Sequence, residues 1–299
     1  MERGLERCRR DGVQVCVGGG PGYPRALEAL ADPPAVVLLR GRPELLQRRA
    51  VAIVGSRRST AAGRRTAEEI AGALAGAGVV TVSGLALGID AAAHRGALAA
   101  GGDTIAVLGA GPDVPHPPSN RGLFTRIADE GLLVTEFLPG EPARAHHFPR
   151  RNRILAALSG GVVVVEAALR SGALITVGHA LDLGLPVGAV PGSIYAPGSA
   201  GTNRLIRDGA HAVLEPSDAL GLIGEIRLPL EGTSRPDPGP PGDPGRVWRA
   251  LSDVPRTADE VAAAAGMPAG RVLVALSELE MAGRVVREAG GRFRRRAGP

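Results

Sequence analysis

Lysine is absent from this chain of 299 residues, and all 35 of its basic residues are arginine. A chain without lysine cannot form the glycine-rich loop, with its essential lysine, by which many ATPases bind phosphate. The arginines nevertheless outnumber the acidic residues and give a formal net charge of +5. Because a basic surface attracts phosphate groups, this balance favours an anionic polymer as the partner.

Cysteines and long apolar runs are scarce as well. The only two cysteines, Cys8 and Cys16, have no Cys or His neighbours at the spacing of a zinc site. This predicts a reducing compartment, with no disulfide framework and no metal site. No apolar run approaches the roughly 18 residues that a membrane helix needs, and the N-terminus is too polar for a signal peptide. We therefore expect a soluble, cytoplasmic protein with no membrane partner and no cofactor.

Short apolar runs alternate with Ala-rich helical patterns along most of the chain. Runs that are apolar almost throughout are typical of strands covered on both faces, and their recurrence matches strand–helix–strand units. The predicted strands are Val51–Val54, Val79–Val82, Thr104–Leu108, Leu132–Thr135, Val162–Val165 and Val187–Val190. Val36–Leu39 is interpreted as an edge strand or a brace, and Ala212–Leu214 as a further candidate edge. The pattern predicts an α/β fold with a mostly parallel sheet.

The composition divides the chain into four parts. Residues 1–48 are a preamble, residues 49–230 form the α/β domain, and residues 231–245 are a Pro/Gly-rich linker that cannot build a core. Residues 246–299 read as three helices followed by a β-hairpin, which is the winged-helix pattern. Thr257 and Glu260 have the spacing of a capping box at the start of the second helix.

Five clusters of small and polar residues stand where the predicted strands end. The carboxyl ends of parallel strands share one edge of a sheet, where helix N-termini present free backbone N–H groups. With an added guanidinium, such an edge favours a phosphate. The clusters are Gly55, Ser56 and Arg57; Ser83 and Gly84 with Asp90 and His94; Gly109–Gly111; Glu166 with Ser171, Gly172 and Thr176; and Pro191–Ile206, which includes Asn203.

A basic segment with an aromatic residue follows the third cluster. Phe148 is one of only four phenylalanines, and Arg150, Arg151 and Arg153 lie within five residues of it. Guanidinium groups bind the phosphates of a single strand, and an aromatic ring stacks on its bases. The alternative is that Phe148 fills the core while some of the arginines are solvated at the surface.

Three polar side chains also admit a catalytic interpretation. Asp90 and His94 are four residues apart on one predicted helix and could act as an acid/base pair, and Glu166 could act as a general base. Because no nucleophile stands out, the favoured alternative is that Asp90 caps or braces the loop while His94 hydrogen-bonds a neighbouring backbone group. For Glu166 the favoured alternative is also structural, with the carboxylate fixing the arginine cluster or the following helix. No catalytic residue is therefore assigned, and the histidines and cysteines show no metal-binding spacing.

Seven segments together resemble the DNA-processing protein A (DprA, also called Smf) family, over about residues 20 to 215. They are GYPRALEALADPPAVVLLRG, VAIVGSR, VSGLALGIDAAAHRGAL, TIAVLGAG, FPRRNRILAALS, VVVEAALRSGALIT and VPG…GTNRLIRDGA, in that order. The resemblance implies an extended Rossmann-like, doubly wound, mostly parallel sheet with a small C-terminal winged-helix domain. It also implies a homodimer that binds single-stranded DNA, protects it and loads RecA recombinase during natural transformation, without enzymatic turnover.

The family's motifs carry over to particular residues of this chain. Its Gly-Ser-Arg motif implies that Gly55, Ser56 and Arg57 line a basic DNA pocket. Its Phe-Pro-x-Arg-Asn-Arg element adds Phe148, Arg150, Arg151, Asn152 and Arg153 to the same pocket. Two departures stand out. Only about 20 residues precede the Tyr-Pro element, so the family's N-terminal helical domain is truncated or absent, and His116-Pro117-Pro118 replaces a Tyr-Pro.

Two other functions remain as alternatives. The architecture also resembles nucleotide phosphoribohydrolases, in which a glycine-rich loop and a glutamate act on nucleoside monophosphates; here Glu166 and Gly201-Thr202 would take those places, although the Pro-Gly-Gly of that loop is missing. Alternatively, the winged helix binds duplex DNA as a regulator. The basic tail that would serve this purpose consists of Arg292, Arg294, Arg295 and Arg296.

Overall fold

The chain divides into two compact units, Met1–Arg227 and Leu228–Pro299. The computed structural model describes residues 6–8, 10–224, 240–251, 255–288 and 291–295. Most of the predicted linker (residues 231–239), together with Gly290 and Arg296 of the predicted hairpin and basic tail, lies outside the described residues.

A nine-stranded sheet forms the centre of the first unit. Its spatial order is β1-β2-β6-β5-β4-β3-β7-β8-β9. The strands are β1 (Val13–Val17), β2 (Val36–Gly41), β3 (Ala50–Val54), β4 (Val80–Ser83), β5 (Thr104–Val107), β6 (Leu132–Thr135), β7 (Val162–Val164), β8 (Val187–Ala189) and β9 (His211–Ala212). All neighbouring pairs from β6 to β9 are parallel, so their carboxyl ends lie along one edge.

The chain builds this sheet outward in two directions from β3. It runs through β4, β5 and β6 on one side, and then crosses back to place β7 beside β3 on the other. The gap between the ends of β3 and β7 is therefore the point at which the strand order reverses. Ligands of open α/β sheets bind in the crevice at such a point.

Helices cover both faces of the sheet. In chain order they are α1 (Ala61–Gly76), α2 (Ile89–Ala99), α3 (Arg121–Glu130), α4 (His147–Ala157), α5 (Ala173–Asp182), α6 (Ala200–Arg207) and α7 (Asp218–Gly221). Alternate residues of β3 contact opposite layers, as the two-residue period of a strand requires. Ala52 and Val54 share a core with α4 and α5, whereas Val51 and Ile53 share one with α1 and α2.

The local sequence explains where helix α1, which follows the loop after β3, begins. Thr60 caps its start, since the threonine hydroxyl accepts a hydrogen bond from the N–H of Gly63 at 2.9 Å. Its buried positions fall at helical spacing and include Ala67, Ile70 and Leu74. The helix therefore packs one apolar face on the sheet and starts at a fixed point beside the end of β3.

The N-terminal residues contribute two antiparallel strands. The segment Val36–Leu39, interpreted above as an edge strand or a brace, lies in β2 and pairs with β6. The edge itself is β1, which the sequence pattern did not indicate and which pairs with β2. At the other end of the sheet, the edge strand is β9, and the candidate strand Ala212–Leu214 overlaps it only at Ala212.

The second unit has its own core. It contains α8 (Asp243–Ala250), α9 (Ala258–Ala265) and α10 (Ala269–Met281), with a small antiparallel sheet of β10 (Arg256–Thr257), β12 (Arg292–Arg295) and β11 (Val285–Glu288) in that order. The predicted capping box is confirmed, because Thr257 and Glu260 exchange both of its hydrogen bonds. Its core includes Trp248, Leu276 and Phe293.

The predicted fold class is confirmed: a doubly wound, mostly parallel α/β sheet is accompanied by a small helical unit with a β-hairpin. In the described part of the chain no single helix is long and apolar enough to cross a bilayer. Only α9 and α10 together reach that length and composition, and they are bent by 106°.

Candidate functional site

A cavity of about 570 Å³ opens at the carboxyl edge of the sheet, between the ends of β3 and β7. Its walls come from the loops after β3, β4 and β7 and from α4 and α5. The predicted site residues that line it are Gly55, Ser56, Arg57, Phe148, Arg151, Asn152, Ser171, Gly172 and Thr176. Asp90 of the second cluster also lines it, so residues from three of the five predicted clusters and from the basic segment meet in one place.

The loop between β3 and α1 carries two arginines on the rim of the cavity. A Cβ at Gly55 would lie 2.7 Å from the side chain of Ile89, so only glycine allows this close approach. The Ser56 N–H donates to the carbonyl of Glu166 at 2.7 Å, and the Ser56 hydroxyl accepts from the N–H of Arg58 at 3.1 Å. These bonds hold the loop in place while Arg57 and Arg58 remain exposed.

Arg57 lies over the ring of Phe148. The guanidinium carbon is 4.7 Å from the ring centre, which is within the range of a cation–π contact. No ion pair of Arg57 is found among the described residues. The half-buried Phe148 ring rests against Gly109, where an added Cβ would be 3.1 Å from the ring. At the cavity, an arginine that has no acidic partner among the described residues therefore lies over an aromatic ring.

A second, smaller cavity of about 110 Å³ lies on the other side of this pair. Arg57, Phe148 and Arg151 line both cavities, and Gly84 and His116 line only the smaller one. The His116 ring centre is 5.6 Å from that of Phe148. Burial lowers the pKa of His116, and the charges of Arg57 and Arg151 act in the same direction. The imidazole that replaces the expected tyrosine therefore still supplies a ring beside Phe148.

Arg151 is buried beneath the cavity. Its Nη1 donates to the carbonyl oxygens of Gly84 and Val107, and its Nη2 is 3.8 Å from the Asp90 carboxylate. A Cβ at Gly84 would collide with this guanidinium. Burial lowers the pKa of Arg151 to about 10 while Asp90 opposes that change, so the guanidinium is charged at neutral pH. Arg151 therefore ties the ends of β4 and β5 to α2 and adds positive charge to the cavity wall.

Asp90 and His94 do not form an acid/base pair. Burial raises the pKa of the Asp90 carboxyl, opposed by Arg151 and by hydrogen bonds from the backbone of Ala86 and Gly84. His94 is fully buried, and its Nδ1 is 2.7 Å from the hydroxyl of Thr104. Asp90 thus braces the loop after β4, as expected, whereas His94 ties α2 to β5 through the Thr104 side chain and not through a backbone group.

Arg150 and Arg153 point away from the cavity. Both nitrogens of the Arg153 fork donate to Glu136, at 3.0 and 2.9 Å, and Arg150 reaches the same carboxylate at 3.0 Å. The side chains of Glu136 and Arg153 are 4% and 8% exposed, so this is a buried bidentate pair. Arg153 therefore anchors α4 to the end of β6, and only Arg150 keeps a largely exposed guanidinium.

The remaining predicted residues divide between the cavity wall and the surrounding structure. Asn152 donates to the carbonyl of Gly172 at 3.3 Å, which links α4 to the loop after β7. Ser83 is buried and donates to the carbonyl of Ile53 at 2.6 Å, away from both cavities. The Asn203 amide exchanges hydrogen bonds with the backbone of Gly192, at 3.0 and 2.9 Å, and so braces the loop of the fifth cluster.

Glu166 is engaged at the start of α1. Its carboxylate accepts hydrogen bonds from the N–H of Thr60, at 2.9 Å, and from the Thr60 hydroxyl. It does not line the cavity. Among the described residues there is also no group of three His, Cys, Asp or Glu side chains that could hold a metal ion.

Sequence reasoning did not single out Arg58, Ala86 or Ile175, which also line the cavity. Arg58 could have been found, because it directly follows Arg57 at a strand end. Glu136 was missed as the partner of two arginines. Its position directly after β6 was the available signal, since an acidic residue at a strand end lies near the other strand ends.

Two family models match the chain. Residues 14–224 match the family described as DNA recombination-mediator protein A, and residues 231–291 match the DprA winged helix domain. The chain is 43% identical over 241 residues to a putative DNA processing protein DprA of Mycobacterium tuberculosis. That match covers 79% of this chain and 61% of the relative, so the chain spans less than two thirds of the relative's length.

Two solved structures share the fold. DNA processing protein A of Streptococcus pneumoniae is 40% identical, with a TM-score of 0.68 over 73% of this chain and 77% of that one. DNA processing protein A of Helicobacter pylori is 30% identical, with a TM-score of 0.65 over 71% of this chain and 96% of that one. The second structure is described for its single-stranded DNA binding mode.

Proposed function

The chain belongs to the DNA recombination-mediator protein A family, and on this basis we propose that it binds single-stranded DNA in the cavity between β3 and β7. The observation that carries the proposal is the Arg57–Phe148 pair, in which an exposed guanidinium lies 4.7 Å from an aromatic ring at the cavity. A single strand offers both of the groups that such a pair recognises, phosphates and unstacked bases.

Each side chain has a proposed part in holding the strand. Arg57 and Arg58 bind phosphates, because both are exposed on the rim and neither has an ion-pair partner among the described residues. Phe148 stacks on a base. Arg151 is a positioning residue whose charge attracts the strand while its nitrogens hold the strand ends.

Part of the remaining wall consists of small and polar residues, which suit a sugar–phosphate backbone of any sequence. Ser171, Gly172, Thr176 and Asn152 lie along it, opposite Gly55 and Ser56. None of these contacts would distinguish one base from another, since stacking and phosphate binding tolerate all four bases. The binding we propose is therefore independent of sequence.

The biological role that we propose is supported by this binding mode and by the family. We propose that the protein coats incoming single-stranded DNA during natural transformation, protects it from nucleases and loads RecA recombinase onto it. We further propose that it acts as a homodimer, since two linked sites on one strand raise the overall affinity without any new contact. The role is that of a mediator and not of an enzyme, and the engagement of Glu166 with Thr60 supports this.

The recombinase step is tested by measuring the rate of RecA ATP hydrolysis on single-stranded DNA that is already coated with a single-strand-binding protein. We expect the wild-type protein to shorten the lag before hydrolysis, and we expect Arg57→Ala to fail at matched concentration. An unchanged lag with the wild-type protein, at concentrations that saturate the DNA, would remove recombinase loading from the proposal while leaving strand binding in place.

A further inference from the structure

Helix α10 of the second unit carries an apolar stripe on its exposed face. Leu273, Val274 and Met281 are 49%, 61% and 81% exposed. With 3.6 residues per turn, these three side chains lie on one side of the helix, together with Gly270 and Ser277. The opposite side carries the buried residues Val272, Ala275, Leu276 and Leu279. The helix is therefore apolar on both sides, and the described residues of its unit cover only one of them.

Acidic residues flank this stripe. Glu278 lies next to Val274 on one side and Glu280 next to Leu273 on the other, and both are exposed. Neither glutamate takes part in an ion pair within the described part of the chain. The one arginine of the helix, Arg271, is paired with Asp243 at 2.6 Å. The exposed face of α10 is thus an apolar stripe bordered by uncompensated negative charge.

This face does not suit duplex DNA. Helix α10 follows α9 across a short turn, which is the place of the helix that enters the major groove in helix-turn-helix proteins. A helix in that place must approach two phosphate backbones, and the free energy of such binding comes largely from cations. Here the exposed helix side chains offer two glutamates and an arginine that already has an acidic partner.

Three arginines of the adjoining hairpin, Arg287, Arg294 and Arg295, are engaged within their own unit. The guanidinium carbon of Arg295 lies 4.5 Å from the centre of the Trp248 ring, and two of its nitrogens donate to the Trp248 carbonyl. Arg294 pairs with Glu288 at 2.6 Å, and Arg287 lies over the Phe293 ring. These contacts stabilise the hairpin, so the charges of these three arginines are not evidence for a DNA-binding wing. Arg292, the fourth described arginine of the hairpin, is exposed.

We infer that the exposed face of α10 is a docking surface for a basic amphipathic helix of a partner protein. An apolar row on that helix would cover Leu273, Val274 and Met281, and Lys or Arg on either side of the row would meet Glu278 and Glu280. This is the pattern of a helix recognised through anchors at helical spacing, with charges fixing its orientation. The surface gives the second unit a role in protein recognition, independent of the strand-binding cavity.

The test uses the full chain and a fluorescent 18-residue synthetic peptide that presents a leucine row flanked by arginines. Two further peptides are its charge-reversed form with glutamates and a scrambled form without the row. Binding is followed by fluorescence anisotropy. The variants are Leu273→Ser with Val274→Ser, and Glu278→Gln with Glu280→Gln. Asp259→Asn, which removes an exposed charge from α9, is the matched control.

We expect the basic peptide alone to bind. The serine pair should weaken it about tenfold or more, because the apolar surface to be buried is lost. The glutamine pair should weaken it about threefold and flatten its salt dependence. Asp259→Asn should leave it unchanged. Since the substituted side chains are exposed, all variants should keep the wild-type melting temperature and the wild-type affinity for oligo-dT.

Three results would overturn the inference. Equal binding of the scrambled peptide would show plain charge attraction. Loss of duplex binding in the serine pair would make the face a DNA surface. A dimer in sedimentation that the serine pair converts to a monomer would mean that the face is covered by a second copy of the chain.

Discussion

The guanidinium carbon of Arg57 lies 4.7 Å from the centre of the Phe148 ring, at the place where the strand order of the sheet reverses. Arg57 comes from the loop after β3 and Phe148 from the first turn of α4, so the contact joins segments that are about 90 residues apart. Duplex DNA hides its base faces in the stack, whereas a single strand exposes them beside its phosphates. The pair therefore favours a single strand over a duplex.

Removing the Phe148 ring tests the stacking contact. Phe148→Ala should weaken binding to oligo-dT by about 1–3 kcal/mol, which corresponds to roughly 5- to 150-fold in Kd. Phe148→Trp should retain most of the affinity, because an indole also stacks. The measurement is fluorescence anisotropy with a labelled oligo-dT at fixed salt. If Phe148→Ala bound as tightly as the wild type, the ring would serve only to fill the space beside Gly109.

Arg153 should contribute to stability and not to DNA affinity. Arg153→Leu leaves the buried Glu136 carboxylate with only the exposed Arg150 as partner. We expect the free energy of unfolding to fall by about 3 kcal/mol, the lower end for a broken buried pair, because Arg150 still reaches Glu136. Urea denaturation measures this loss, and Glu136→Leu in the same chain should restore part of it.

The same Arg153→Leu protein, at temperatures where it is folded, should show the wild-type salt dependence of oligo-dT binding. A shallower dependence combined with unchanged stability would instead identify Arg153 as a phosphate ligand, as its place in the basic segment of the sequence implies.

His94 should make stability depend on pH. The Thr104 hydroxyl donates its proton to the carbonyl of Thr81 at 2.8 Å, so the hydrogen bond between His94 and Thr104 must be donated by Nδ1 of His94. The other ring nitrogen of His94, Nε2, is buried and has no hydrogen-bond partner among the described residues. Burial, with the charges of Arg151 and Arg95, lowers the pKa of His94 from 6.5 to about 3. Below pH 6.5 the unfolded chain therefore binds a proton at this histidine that the folded chain does not.

The contribution of His94 is accordingly complete above pH 6.5 and is lost as the pH falls toward 3. The loss is at most about 1.4 kcal/mol per pH unit. His116 and His179, whose pKa values are also lowered by burial, contribute with the same sign. The informative quantity is thus the difference between the wild type and His94→Asn in urea denaturation from pH 7.5 to 4.5. We expect a flatter profile for the variant, and parallel profiles would contradict the account.

Glu166 should be a structural residue. Glu166→Ala removes the acceptor for the N–H and hydroxyl of Thr60, which caps α1, and should lower the free energy of unfolding by about 1–2 kcal/mol. Oligo-dT affinity should change less than stability does. The wild type and Glu166→Ala also test the alternative hypothesis that the protein is an enzyme. Release of base from a nucleoside monophosphate by the wild type, abolished in Glu166→Ala, would favour a phosphoribohydrolase.

The strands of the parallel sheet could be predicted because each is a short apolar run that ends at a small or polar residue. Leu132–Thr135 agrees with the structure at both ends, and Val162–Val165 and Val187–Val190 each extend one residue beyond the observed strand. Strand β1 was missed. In its sequence VQVCV only Val13 and Cys16 are buried, and it is stabilised as a strand by pairing with β2, which a local pattern cannot reveal.

The part of the candidate site that lies directly after the strands could be predicted from the sequence. Gly55, Ser56 and Arg57 follow β3 and line the cavity, as do Ser171 and Gly172 after β7. The partners of the arginines were not predictable. Arg151 meets Asp90, and Arg153 meets Glu136, only because α4 packs across the ends of β4, β5 and β6. Three arginines that look alike in sequence therefore differ in burial and in what they bind.

The most direct test of strand binding in the cavity is the salt dependence of binding by the wild type, Arg57→Ala and Arg65→Ala. Arg65 is an exposed arginine of α1 that pairs with Glu69, so it is a matched control away from the cavity. Binding to labelled oligo-dT and to a matched duplex is followed by anisotropy over a salt series. The wild type should prefer the single strand.

The slope of log Kobs against log salt should become shallower by about 0.7 in Arg57→Ala, as expected for one lost phosphate contact, and should not change in Arg65→Ala. If neither DNA binds, or if Arg57→Ala and Arg65→Ala show the same slope, binding of the strand in the cavity through Arg57 is contradicted.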